Sequence, residues 1–393
     1  MTKDTPSLVR RTAWPQSSSR AVVTPLQPSV VYSSESPDAL DAQYEGRAKG
    51  YTYAREGHPN AEVLAQKIDG MEGATGGLIV GSGMAAITAV MMGLLKTGDH
   101  VLGGNQLYGR SMRMMREELP RFGVTTSLAD PTDAATFAKA IRPETRLILL
   151  EVVSNPTLRI SDIPGITKLA KERGILLVID NTFTTPRGYL PFEHGADVIV
   201  HSVTKLLAGH SDATLGYVAA ADPAHRKSIY DTAVTLGLTP SPFDCWLAER
   251  GLYSFELRYD RAESNAVALA NALAEMPGIK RVLYPLRPDH PDHNRASALL
   301  GTRGGNMVSF EINGGREATN RLVQAAPNIA FAPTLGDIGT TLSHPATSSH
   351  RALTVEARAD LGMSEGFFRV SVGVEDIDML IGEFHTALNA AQD

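Results

Sequence analysis

The chain has 393 residues, too many for one small hydrophobic core and enough for two or three packed units. Its net charge of −6 gives no electrostatic case for nucleic acid or an anionic membrane as partner, and its one cysteine, Cys245, excludes an intrachain disulfide. The polar start of the chain has no signal-peptide core, and the longest apolar run (84–95) is interrupted by Thr88 and Gly93 and too short to cross a bilayer; a cytoplasmic protein is expected.

Residues 1–58 read as an extended arm. Pro6, Pro15, Pro25 and Pro28 punctuate it, and no helical period develops before Ser36-Pro37-Asp38. Such a stretch is rarely stable alone, so it is expected to lie on something, such as another subunit. From 59 the texture changes. Residues 61–71 space Val63, Leu64, Ile68 and Met71 for one helix face. Strand-like apolar runs then alternate with helical segments: 77–80 before a helix from Met84, then 101–102 before a helix over 111–119. The runs 146–150 and 175–179 follow helices over 134–141 and 166–172, and 197–200 comes shortly after. Continuous apolar strands interleaved with helices predict an α/β fold with a mostly parallel sheet covered on both faces, spanning 59–255. A long helix over 257–276, strands at 307–312 and 368–372 and a final helix from Asp376 predict a smaller α+β unit over 256–393.

In sheets of this kind ligands bind beyond the C-terminal strand ends. Glu151, Asp180, His201 and Ser202 fall at such ends. Three residues after Ser202 comes Lys205, in Ser202-Val203-Thr204-Lys205. An isolated lysine is usually a solvated surface group. This one has two hydroxyls beside it, Ser202 and Thr204, which can donate to phosphate oxygens. A desolvated lysine becomes a nucleophile able to form an imine with an aldehyde cofactor. Asp180, followed by Asn181-Thr182, is either a turn aspartate or the carboxylate that keeps a pyridine nitrogen protonated. Gly81-Ser82-Gly83-Met84, between a strand and a helix, is either a plain turn or a phosphate seat at a helix N-terminus. Tyr108 follows a strand on a loop and could stack on a cofactor. Asn155, in Ser154-Asn155-Pro156, could bond a cofactor oxygen. Arg369 alternates with apolar neighbours on a strand and has the fork to hold a substrate carboxylate.

Together these residues resemble the Cys/Met-metabolism family of pyridoxal-phosphate enzymes, the group of cystathionine γ-synthase, cystathionine lyases, methionine γ-lyase and homoserine sulfhydrylases. The likeness runs from Val23 to Glu383. Its most specific stretches are 178–183, 201–212, 241–244, 343–347 and 368–375. The resemblance implies a fold-type I enzyme that binds pyridoxal 5'-phosphate and forms a homotetramer of two close dimers. Carried over, Lys205 is the Schiff-base lysine and Asp180 the partner of the ring nitrogen, with Thr182 beside it. Ser82, Gly83, Met84, Ser202 and Thr204 hold the phosphate, and Tyr108 stacks on the ring and serves as acid or base. Asn155 and Arg369 face the cofactor oxygen and the substrate carboxylate. Tyr53 and Arg55 match residues that reach the phosphate of the neighbouring subunit, which makes the arm a part of the partner's site.

Departures from the family pattern bear on the substrate. Tyr53-Ala54-Arg55-Glu56-Gly57-His58-Pro59-Asn60 replaces the usual Tyr-Ser-Arg or Tyr-Thr-Arg run. Arg110 stands where methionine γ-lyases carry cysteine. The loop Thr334-Leu335-Gly336-Asp337-Ile338-Gly339 has glycine where cystathionine-cleaving relatives carry glutamate; Thr334 can still offer a hydroxyl to Lys205. The expected reaction is γ-elimination or γ-replacement on a γ-substituted L-amino acid, as in a methionine- or canavanine-type γ-lyase. Arg110, Glu56 and Asp337 join Tyr53, Asn155, Thr334 and Arg369 as candidates to face the substrate. The alternatives are an O-acetyl- or O-succinylhomoserine sulfhydrylase or cystathionine γ-synthase, then a cystathionine β-lyase or a non-catalytic cofactor-binding regulator. No basic run or added domain supports the regulator.

Overall fold

The computed structural model describes residues 15–351 and 353–392; the part of the expected arm that includes Pro6 lies outside them. The first sheet contains β1 (Leu78–Val80), β2 (His100–Gly104), β3 (Thr125–Ala129), β4 (Thr145–Glu151), β5 (Leu176–Asp180), β6 (Val198–Ser202) and β7 (Gly216–Ala220). Its order is β1-β7-β6-β5-β4-β2-β3. Strands β6, β5, β4, β2 and β3 are parallel, and β7 runs against both β6 and β1. This is the mostly parallel sheet that the uninterrupted apolar runs predict.

Alternation along each strand explains why both faces are covered. Ile148, Leu150, Leu177 and Ile179 pack with Phe137, Ile163 and Ile166 from the helices Ala134–Ala140 and Ile163–Arg173. Their neighbours Leu147, Leu149, Val178 and Val200 point the other way, onto Ala86, Ile87 and Val90 of the helix Gly83–Leu94. Two strands of this sheet are absent from the sequence reading. Strand β3 (Thr-Thr-Ser-Leu-Ala) is partly exposed at the sheet edge and lacks an apolar run, and β7 is built largely of small residues. The predicted 111–119 helix begins at Gly109, changes to a π-helical turn over Met114–Glu118 and ends in a 3-10 turn at Leu119–Phe122, where Pro120 has no N–H to continue it.

The second sheet has β8 (Ile279–Leu283), β9 (Met307–Ile312), β10 (Ala330–Phe331), β11 (Thr341–Ser343) and β12 (Phe367–Ser371), in the order β10-β11-β12-β9-β8. It is antiparallel apart from the β10–β11 pair. The helices Phe255–Glu275 and Ile377–Gln392 cover it, and Phe310 stacks on Phe368 and meets Phe384 edge-on at 6.0 Å between ring centroids. The arm is not wholly extended: Ser36 caps a helix over Pro37–Tyr44, its side chain accepting the Ala39 N–H at 3.1 Å.

Candidate active site

Strands β4, β5 and β6 are adjacent and parallel, so their C-terminal ends, Glu151, Asp180 and Ser202, form one rim. Thr182 ties that rim together. Its hydroxyl donates to Asp180 Oδ1 at 2.5 Å and accepts the Ser202 N–H at 2.8 Å, while its own N–H also donates to Asp180 Oδ1 at 3.1 Å. Burial raises the Asp180 carboxyl above its ordinary range; the Thr182 bonds and nearby His201 oppose that rise. Behind the rim lies a buried polar layer. His201 Nε2 bonds Glu72 Oε1, which also accepts Asn181 Nδ2 at 2.9 Å.

Lys205 sits in the turn after β6. Its Nζ donates to Thr334 Oγ1 at 3.3 Å. Burial, and then the charge of Arg369, lowers its pKa from the usual lysine value, which increases the fraction of free amine. Thr334 opens a loop that lies directly on the lysine's backbone. At Gly336, with φ +79°, a Cβ would come within 2.5 Å of Leu206 N and 2.9 Å of Lys205 C. Only glycine permits that approach. Arg369, on β12 and 5 % exposed, reaches across from the second sheet. Its Nη1 donates to Asn155 Oδ1 at 2.7 Å and its Nη2 to the Thr334 carbonyl at 2.6 Å; its Nε is buried with no acceptor. Burial holds its pKa down to about 10.

The helix Gly83–Leu94 points its N-terminus at the same rim. Ser82 caps it by accepting the Ala85 N–H at 3.0 Å, and the Gly83 and Met84 amides have no helical acceptor. A Cβ at Gly83 would lie 2.7 Å from Ser202 Cβ, so the helix end and the β6 end nearly touch. The Thr204 hydroxyl is turned onto the backbone of Leu215, donating to its carbonyl at 3.2 Å and accepting its N–H at 3.0 Å. Tyr108 is anchored by its N–H, which donates to Glu151 Oε1 at 2.6 Å, while its side chain is 41 % exposed.

The remaining candidates lie outside this cluster of contacts. Arg110 is exposed and makes no side-chain hydrogen bond or ion pair among the described residues. Tyr53 and Arg55 are exposed too, with the guanidinium 5.2 Å from the tyrosine ring centroid. Glu56 accepts from Thr52 Oγ1 at 3.3 Å. Asp337 accepts from Ser211 Oγ at 2.9 Å and from the Ile338 N–H at 2.7 Å. Sequence reasoning assigned no role to Arg258. It is buried and donates to the carbonyls of Leu206 (2.9 Å), Leu207 (3.1 Å) and Gly251 (3.0 Å), which pins the turn that carries Lys205. Its signal was an arginine on the apolar face of a helix, in register with Phe255, Ala262 and Ala266.

The arrangement fits pyridoxal phosphate. A lysine with lowered proton affinity bonds the Thr334 hydroxyl, Asp180 keeps Oδ2 without a hydrogen bond among the described residues, and a helix N-terminus with free amides abuts Ser202. Comparison with known proteins agrees. The family model "Cys/Met metabolism PLP-dependent enzyme" matches residues 6–389. The chain is 39 % identical to the cystathionine β-lyase of Bacillus subtilis over 368 residues, covering 94 % of this chain and 92 % of that protein. It is 36 % identical to the L-methionine γ-lyase of Pseudomonas putida over 381 residues, 96 % of this chain and 95 % of the other. A solved putative O-acetylhomoserine (thiol)-lyase from Campylobacter jejuni, which carries a pyridoxyl-lysine monophosphate, superposes with a TM-score of 0.91 at 28 % identity, covering 96 % of this chain and 98 % of that one. With its fold in agreement and the family match spanning residues 6–389, this chain belongs to the Cys/Met-metabolism family of pyridoxal-phosphate-dependent enzymes.

Proposed function

We propose that the enzyme catalyses γ-elimination or γ-replacement on a γ-substituted L-amino acid. The observation that carries this reading is the chain of contacts Asn155–Arg369–Thr334–Lys205, which sets a carboxylate-binding fork beside a free amine. When bound, the cofactor supplies an electron sink for charge that develops at the substrate Cα. Arg369 holds the substrate α-carboxylate; its buried Nε has an unused donor for it. Lys205 Nζ takes the Cα proton and then moves a proton at Cβ, guided by Thr334 Oγ1. Tyr108 gives its hydroxyl proton to the group leaving Cγ. Asp180 holds the ring nitrogen protonated, and the Gly83 and Met84 amides with Ser202 and Thr204 take the phosphate.

Asp337 follows the glycine that touches the Lys205 backbone, and its carboxylate bonds Ser211 Oγ and the Ile338 N–H. With Glu56 it would suit a cationic distal group such as the guanidinooxy tail of canavanine, and Arg110 would suit an anionic one. A second reading, cystathionine β-elimination, draws support from the 39 % identity to a β-lyase. A substrate panel separates them: methionine, canavanine, cystathionine, and O-acetyl- and O-succinylhomoserine with sulfide. Release of 2-oxobutanoate or homoserine, or formation of a thioether, is expected. Pyruvate as the main product from cystathionine, with the γ-substrates untouched, would sink the γ reading.

We further propose a homotetramer of close dimers in the cytoplasm, in which Tyr53 and Arg55 complete the neighbour's phosphate site. The arm exposes Val22, Val23, Val30 and Val31 to solvent in the single chain, as a segment that docks on another subunit would. No helix among the described residues is long and apolar enough to cross a membrane. Mixing inactive Arg55→Ala chains with inactive Lys205→Ala chains should restore activity, because exchange builds sites with both residues intact. Absence of rescue among chains shown to exchange would place both residues in one subunit's site.

A further inference from the structure

Glu151 is a buried carboxyl for which the reaction above has no use. It ends β4 as the register partner of Asp180 on β5, and it is 8 % exposed. One oxygen accepts the Tyr108 N–H at 2.6 Å. It thereby ties down the backbone of a residue read above as facing the cofactor. Its other oxygen, Oε2, is buried with no hydrogen-bond partner. No lysine, arginine or histidine pairs with it among the described residues. The Nη atoms of Arg369 bond Asn155 and Thr334, Lys205 bonds Thr334, and His201 Nε2 bonds Glu72. The ionisable groups placed next to it are Asp180 from β5 and Tyr108 from the loop after β2.

Two buried carboxyls side by side, one without a cation, destabilise a fold. A glutamine would fill the same space and accept the same Tyr108 N–H without the charge. We propose that Glu151 is a second carboxyl of the cofactor site, kept beside Asp180 at a cost to the empty protein, where it fixes the Tyr108 backbone and, once the bound cation draws off its proton, adds negative charge at the end that holds the protonated ring nitrogen. This rests on the reading of Lys205 and Asp180 as the cofactor site. Glu151 acts through Tyr108 and Asp180, so it is a positioning residue.

The sign of its pH effect follows from linkage. Burial, and then the charge of Asp180, lifts the Glu151 carboxyl well above the ordinary carboxylate range. The folded cofactor-free chain then holds a proton there that the unfolded chain has lost. The contribution of Glu151 to stability is neutral below about pH 4.5, grows unfavourable as pH rises from there toward the raised value, and levels off above it.

The test compares wild type with Glu151→Gln. The cofactor-free full-length protein is melted between pH 4.5 and 8, titrated with pyridoxal phosphate, and the visible band of the loaded protein is followed against pH. At pH 8 the Gln variant should melt about 2 °C or more above wild type, with the gap closing toward pH 4.5. Its Kd for the cofactor should rise about tenfold, and the midpoint of the visible band should fall by about one pH unit, as expected on removing a nearby negative charge. A packing role alone predicts melting at or below wild type at every pH and an unmoved midpoint; either result overturns the proposal. If Glu151→Gln does not fold, Asp180→Asn relieves the same repulsion, and cofactor-free Asp180→Asn must melt above wild type at pH 8 or the proposal falls. Borohydride reduction keeps the two readings apart. Wild type left unlabelled at Lys205 ends the cofactor-site reading and this one with it, whereas a labelled Lys205 without the shifts ends this one alone.

Discussion

Lys205→Ala should lower kcat/KM by about a thousandfold or more, roughly 4 kcal/mol or more of transition-state stabilisation. Two losses combine. The variant has no amine to attach the cofactor aldehyde, and none to move protons at Cα and Cβ. The protein should still fold, because Lys205 makes a single long side-chain bond, to Thr334, and its removal takes a desolvated amine out of a buried place. The measurement is steady-state kinetics with the best substrate of the panel, alongside borohydride reduction and peptide mapping. Wild type should carry the reduced cofactor on the peptide containing Lys205, and the variant should carry none. A variant that turns over at even a tenth of the wild-type rate would remove Lys205 from the mechanism.

Arg369→Ala is expected to cost about a hundredfold to a thousandfold in kcat/KM, carried mainly by KM, since a charge-assisted bidentate contact to a carboxylate is worth roughly 3–4 kcal/mol when buried. Arg369→Lys should recover little. The guanidinium reaches Asn155 and Thr334 with two separate nitrogens and keeps Nε for a third partner, a fork that a single ammonium cannot reproduce. Stability should respond less than activity. The alanine variant strands Asn155 Oδ1 and the Thr334 carbonyl, yet it also removes a guanidinium whose pKa burial has pulled down to about 10. The comparison of KM, kcat and melting temperature across wild type, Ala and Lys decides it. A KM within twofold of wild type for the Ala variant would assign Arg369 to structure alone.

The elements legible beforehand were those with strong local signals. Apolar runs of three to five residues marked β4, β5 and β6, and a spaced apolar face marked the helix Phe255–Glu275. β3 and β7 were not legible, because a partly exposed edge strand and a strand of small residues lack that periodicity. The site divides in the same way. Lys205, Asp180 and Ser202 are close in sequence to strand ends, and the parallel order of β5 and β6 makes that position meaningful. Glu151 was visible as a strand end and no more. Its importance depends on a missing partner at Oε2 and on Asp180 being its register neighbour, neither of which is written in the residues around it.

Taken alone, the order of residues determined the fold class and the cofactor. Each of these depends on patterns of a few consecutive residues, whose spacing is converted directly into strand, helix and turn. The tertiary structure decided what each charged group does. Arg369 lies 164 positions after Lys205 in the chain, and only the packing of the second sheet against the first brings its guanidinium to Thr334 and Asn155. The same holds for Arg258, whose burial under the Lys205 turn makes it a clamp on three carbonyls instead of a surface cation. Charge, burial and hydrogen bonding act over a few ångströms, so their outcome is set by which distant segments meet.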